Sequence, residues 1–346
     1  MTPHAPRKVL ITGAGGFVGR HLVDDQLARG RAVRAIDVRI DGLDTTDANL
    51  VVEQLDIRST DRLRPHLAAC DTVFHLAAAH LDVLKDEDYF HDVNVRATGA
   101  LVRAAAEEGV RRFVHCSTVG VYGPLASLPA DEETVPAPDI AYEKSKLAGE
   151  RAVREAAAGT AVEVAIIRPS WVYGPHCPRT WKLIRTVARK RFFLVGDGSN
   201  LRHPVYVIDL LDAFELAATK SLPDAQPIIV AGPDTVTIRQ LVDLIAGELG
   251  MTWTPLRVPL ALMSAACRVM EQAARLIGRE PPFSRRSLKF FTDSSAYDTA
   301  RARRVLGFRP RIDTRHGLRA TIEYYRQNDL LPGATGRRQG AGMRDN

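Results

Sequence analysis

The stretch "VLITGAGGFVG", residues 9–19, restricts the fold more than any other part of the chain. A short apolar run leads straight into Gly13, Gly16 and Gly19, with a further glycine at Gly15, and a helical pattern follows. A turn this tight needs the positive φ that glycine adopts without steric cost. A helix opening directly after it offers free N–H groups and a positive dipole end, which suits a phosphate. The spacing predicts a strand, a phosphate-binding turn and a helix, with Gly13, Gly16, Phe17, Val18 and Gly19 meeting a dinucleotide.

The rest of the first half keeps the same alternation. "AVRAID", "NLVVEQLD", "DTVFHLAA", "RRFVHCST" and "VEVAIIRP" read as strands. Helical patterns separate several of them, including one long helix in "YFHDVNVRATGALVRAAAEEG" and another from about Tyr142 to Ala157. Strands of near-continuous Val, Ile and Leu separated by helices predict an α/β fold: a doubly wound parallel sheet covered on both faces. Ligands of such sheets bind at the carboxyl ends of the strands. Asp37 closes the second strand, 37 − 13 = 24 residues past the first glycine. A carboxylate there accepts from adenosine ribose hydroxyls and repels a 2′-phosphate, which favours NAD over NADP. Arg39 pulls the other way, and a solvated strand end is the bland alternative for Asp37. Asp56 and Ile57 lie at another strand end, facing either an adenine edge or, for Asp56, a helix N-terminus that it caps.

Ser117 and Thr118 end the fifth strand. Tyr142 follows 142 − 118 = 24 residues later, and Lys146 one helical turn beyond it, on the same face. A free phenol has a pKa of about 10. A neighbouring ammonium favours the phenolate and lowers that value. The pattern predicts a phenol that exchanges a proton with a substrate hydroxyl, with Thr118 holding the substrate oxygen.

Taken in order, the glycine turn, "HLAA", "NVRAT", "STVGVYG", "YEKSK" and "RPSWVYGP" resemble the extended short-chain dehydrogenase/reductase superfamily, nearest its NAD-dependent epimerase/dehydratase branch. The resemblance spans roughly residues 8 to 325. It implies a Rossmann-type sheet with a smaller, discontinuous C-terminal substrate lobe. It also implies NAD as cofactor, with Thr118, Tyr142 and Lys146 as the catalytic set and Ser117 as an adjacent hydroxyl. By the same resemblance Leu76, Ala77 and Ala78 line the loop passing the cofactor, and Pro169 and Val172 lie beside the nicotinamide. Asn94 matches the family's helix asparagine, although a buried polar group would look the same. The dehydratases of the superfamily carry an Asp-Glu pair after the threonine. Val119 and Gly120 stand here instead, which disfavours dehydration.

The second half divides the substrate reading. "GDGSNLRHPVYVID" resembles a segment whose arginine, here Arg202, contacts the diphosphate of a nucleotide sugar; a surface arginine is the alternative. His203 and Pro204 depart from the usual pattern. Residues 259 to 277 form an apolar stretch like that of the 3β-hydroxysteroid dehydrogenase-like branch. Such a stripe is core, the lining of a lipophilic pocket, or a surface resting on a membrane. The expected organisation is a cofactor domain of residues 1–170 rejoined by about 203–231, a substrate lobe of 171–202 and 232–330, and a flexible tail of 331–346. The leading expectation is a nucleotide-sugar epimerase, and the rival is a dehydrogenase of a sterol or other lipophilic alcohol.

Composition excludes some classes. The net charge of +6 is scattered apart from the short "RARR" at residue 301, with no interleaved aromatic and basic pattern, so nucleic acid is not an expected partner. Cys70, Cys116, Cys177 and Cys267 show no paired spacing, so no zinc or redox site is expected and a reducing cytoplasm fits. His75, His80 and His91 read as surface or cleft residues rather than metal ligands. No apolar run approaches the ~18 residues of a membrane span. A homodimer paired through the helices after strands four and five is common in the resembled superfamily.

Overall fold

The computed structural model describes residues 5–80, 86–222, 225–277 and 285–331. Six strands, β1 (Lys8–Thr12), β2 (Ala32–Asp37), β3 (Leu50–Gln54), β4 (Thr72–His75), β5 (Arg112–Cys116) and β6 (Glu163–Pro169), are joined by a seventh, Pro227–Val230. Their order across the sheet is Pro227–Val230, β6, β5, β4, β1, β2, β3, with every pairing parallel. The chain winds outward from β1 to β3 and then restarts at β4 on the other side of β1. The reversal leaves a crevice at the carboxyl ends of β1 and β4, where doubly wound sheets bind ligands.

Side-chain alternation explains why both faces are covered. Val9 and Ile11 of β1 join one apolar cluster with Leu22 and Val23 of α1 (Phe17–Ala28), and with Leu210 and Phe214 of the helix Val207–Thr219. Leu10, between them, points to a second cluster, where it meets Leu63 of α2 (Thr60–Leu67) and residues such as Leu101 and Val153. Successive residues of a strand face opposite sides, so a strand apolar throughout must be covered twice.

The long helix expected across residues 89–109 has a break in register. It runs as α3 (Glu87–His91), a wider π turn over Asp92–Ala97, and α4 (Thr98–Glu107). The turn carries buried Asn94 toward α5 (Ala141–Ala157), which Gly149 lets come close: a Cβ there would lie 2.4 Å from the Asn94 carbonyl oxygen. Single π turns of this kind often sit at functional sites.

The chain forms two compact units. The first holds residues 1–172, 200–236 and 293–314; the second holds 173–199, 237–292 and 315–346. Residues 293–314, assigned from sequence to the substrate lobe, pack with the sheet unit. Tyr297 bridges to Ala130, and both carboxylate oxygens of buried Asp209 accept backbone N–H groups, from Arg311 and Ile312. In the second unit a strand, Leu256–Val258, pairs with Phe193–Val195, and the helices Pro178–Ala188, Ile238–Glu248 and Thr314–Gln327 bury Ile184, Ile245 and Ile322. The tail expected at 331–346 lies outside the described residues from 332 onward.

Candidate active site

The glycine turn sits in the crevice between β1 and β4. Gly13 has φ of 74°, and a Cβ on it would lie 2.5 Å from the Ala77 backbone nitrogen and 2.6 Å from the Leu76 carbonyl carbon. The absent side chain therefore lets the first turn touch the loop after β4. Gly19 is equally constrained, since a Cβ there would meet the Gly13 oxygen at 2.0 Å. The α1 helix starts at Phe17 with Gly16 at its cap and no side-chain cap, which leaves its first-turn amides and dipole end available to an anion. Asp37 fixes the turn from β2. One of its oxygens accepts the Gly15 N–H and the other the Arg39 N–H, each at 2.9 Å. A carboxylate has about four acceptor positions, so two remain for ribose hydroxyls. On these observations the residues fit a dinucleotide.

Asp56 does not cap α2; Ser59 occupies that position. Asp56 instead forms an ion pair with Arg58 at 2.6 Å, which lowers the acid's pKa through that hydrogen bond. Ile57 is buried in the core. His75 contradicts its reading as a surface or cleft residue. It is fully buried, its Nδ1 is 2.7 Å from the Thr12 hydroxyl and its Nε2 is 2.9 Å from the Thr98 hydroxyl. A residue in the middle strand of a doubly covered sheet has no solvent face, whatever its polarity. His80 and His91 are exposed, and the His80 ring meets the Tyr142 ring edge-on at 4.8 Å between centroids.

Thr118 follows β5 and caps a short 3-10 turn, Val119–Tyr122, accepting the Gly120 N–H at 3.0 Å. This turn lies against the start of α5: a Cβ on Gly120 would be 3.1 Å from the Glu143 side chain. Tyr142 and Lys146 occupy successive turns of α5. The Lys146 ammonium donates to the Cys116 carbonyl at 2.7 Å, which ties it to the end of β5. Lys146 is 3% exposed; burial lowers its pKa, and Cys116 and Glu150 partly restore it. Asn94 holds three parts together. Its oxygen accepts the Ala79 N–H at 2.8 Å, its amide donates to the Ala79 carbonyl at 3.0 Å and to the Ser145 hydroxyl at 2.9 Å, and Ser145 donates to the Tyr142 carbonyl at 2.7 Å.

Behind these groups lies a buried ion pair that the sequence reading missed. Glu150 is fully buried and accepts two hydrogen bonds from Arg168, at 2.8 and 2.7 Å. It also accepts from Ser117 at 2.5 Å, and Arg168 donates to the Tyr122 hydroxyl at 2.7 Å. The paired geometry satisfies charges that would otherwise be costly to bury. The only sequence signal for it is that Glu150 lies two turns beyond Tyr142 on the same helix, and that Arg168 precedes Pro169. Pro169 ends β6, and Val172 packs partly buried on the first core cluster. Arg202 is mostly buried and donates to the Asp293 carbonyl at 2.7 Å. Among the described residues no three His, Cys, Asp or Glu side chains cluster as metal ligands.

Residues 9–232 match the model of the NAD dependent epimerase/dehydratase family. The chain belongs to this family. An N-acetyl-alpha-D-glucosaminyl-diphospho-ditrans,octacis-undecaprenol 4-epimerase of Escherichia coli O157:H7 is 27% identical over 322 residues, covering 91% of this chain and 94% of the relative. Sterol demethylase protein B of Methylococcus capsulatus is 29% identical over 337 residues, covering 93% and 99% respectively. The solved structure of MoeE5 in complex with UDP-glucose and NAD matches with a TM-score of 0.73 at 30% identity, covering 93% of this chain and 99% of that one. As a family member the chain is an NAD-dependent enzyme with a Rossmann-type sheet.

Proposed function

We propose that this family member is a nucleotide-sugar epimerase that moves hydride at a secondary alcohol carbon. The observation that carries the reading is the Lys146 ammonium, buried and held at the end of β5 one helical turn from Tyr142. Bound NAD supplies the hydride acceptor and donor. Tyr142 takes the proton of the substrate hydroxyl and returns it after the sugar turns over. The positive charge of Lys146 favours the phenolate that this requires. Thr118 holds the reacting oxygen beside the phenol, and Ser117, fixed by Glu150, lines the same strand end. Gly13, Gly16, Phe17, Val18, Gly19, Leu76, Ala77, Ala78 and Asn94 hold the dinucleotide, Asp37 its ribose, and Asp56 and Ile57 its adenine end. Pro169 and Val172 flank the nicotinamide. Arg202 meets the diphosphate of the sugar nucleotide. The second unit selects the substrate.

The MoeE5 complex and the 4-epimerase relative support the substrate class. A specific observation favours one other reading, net dehydrogenation of a sterol or other lipophilic alcohol: the 29% identical sterol demethylase protein B supports a sterol-like substrate. Homodimerisation through α4 and α5, and residence in the cytoplasm, complete the proposal; the four free cysteines fit a reducing compartment. Among the described residues no helix is long and apolar enough to cross a membrane.

Mass spectrometry of the purified protein, followed by incubation with UDP-sugars, tests the proposal. Retained NAD and interconversion of sugar epimers without net NADH are expected. Steady NADH release from a hydroxysteroid, with no turnover of any nucleotide sugar, would replace it by the dehydrogenase reading.

A further inference from the structure

The helix Leu260–Ile277 belongs to the second unit. Met263, Cys267 and Met270 face inward, spaced i, i+4, i+7, and pack with Phe193, Leu288 and Phe291. A helix that buries one ridge normally turns polar residues outward. Here the opposite side carries Leu262 at 62% exposure and Val269 at 66%, with exposed Ala265 between them. Leu256, on the strand leading to the helix, is 73% exposed and Leu260 is 44% exposed. Two exposed arginines, Arg257 and Arg268, flank this strip. From Leu249 to Met270 the sequence holds no Asp or Glu, and the whole chain carries a net charge of +6.

We propose that this face rests on the surface of an anionic lipid bilayer. An exposed apolar strip with exposed arginines beside it matches the boundary between acyl chains and acidic headgroups. The arginine stems reach along the apolar face while their guanidinium groups stay among the headgroups. A second copy of the chain is a poorer occupant. A two-fold contact would set the arginine-flanked strip against itself, arginine near arginine. The inference is independent of the chemistry proposed above, because none of these residues belongs to the candidate active site.

Co-sedimentation of the full chain with vesicles tests it. Vesicles of phosphatidylcholine with phosphatidylglycerol are compared with vesicles of phosphatidylcholine alone, at low and high salt. Binding is expected only with the acidic lipid, and salt should weaken it because exposed charges are screened. Arg257→Gln and Arg268→Gln should each weaken binding about fivefold. Leu262→Asp combined with Val269→Asp should abolish it while leaving the circular dichroism spectrum unchanged, since both side chains face solvent. Three results would each overturn the proposal: equal binding to both vesicle types, wild-type binding by the aspartate variant, or no vesicle binding together with a dimer that the aspartate variant dissociates.

Discussion

Asp37 does two things at once. It fixes the glycine turn through the Gly15 and Arg39 amides and keeps further acceptor capacity on both oxygens. Removing the carboxylate should loosen the turn and leave a 2′-phosphate without repulsion. Asp37→Ala is therefore expected to weaken NAD at least ~10-fold and to raise the relative use of NADP, since one lost hydrogen bond to a charged group is worth about 1.5–3 kcal/mol. Calorimetric titration with both dinucleotides checks this, and an unchanged preference would count against the ribose role. Lys146 works at the same scale. Its ammonium is buried with no carboxylate in direct contact among the described residues, and the Cys116 carbonyl is its partner. Burial lowers its pKa, while the more distant Glu150 opposes that shift.

At the scale of elements, β1, β4 and β5 align Thr12, His75 and His115 side by side. The two imidazoles stack at 5.4 Å between centroids. His75 has hydroxyl partners on both nitrogens, whereas both ring nitrogens of buried His115 have none among the described residues. Burial lowers the pKa of His75 to about 3 and that of His115 well below its ordinary value; the Lys146 charge adds to both effects. The unfolded chain takes up protons on these rings below the ordinary pKa of 6.5, whereas in the folded chain His75 does not until about 3 and His115 only well below 6.5. Stability contributed by the neutral rings is thus present above 6.5 and is lost as pH falls below 6.5, for His75 down to about 3. The slope is at most about 1.4 kcal/mol per pH unit for each ring. Urea midpoints measured across that range should show it. His115→Leu is expected to leave stability at neutral pH unchanged or higher, because no hydrogen bond is lost, and to flatten the acid limb. A variant with the full wild-type slope would show that His115 does not contribute.

At the scale of the whole molecule, the features legible in sequence were the local ones. The glycine turn, the alternation of strands and helices, and the spacing of Tyr142 and Lys146 are set by neighbours in the chain. Each appears in the sheet order and helix positions. The Glu150–Arg168 pair was not legible, because its partners come from different elements and a glutamate on a helix usually faces water. His75 was misread for a related reason: its burial follows from β4 lying in the middle of the sheet, a fact of topology. The return of residues 293–314 to the first unit depends on Asp209 and Ala130, far away in sequence. The proposal these local features support is hydride transfer with Tyr142 as the proton-exchanging group. The most direct test compares wild type with Tyr142→Phe for interconversion of UDP-sugar epimers, with NAD affinity measured on the same samples. The account predicts turnover reduced at least ~100-fold, within the range for loss of a general acid or base, and NAD binding nearly intact. Wild-type turnover by the phenylalanine variant would contradict it.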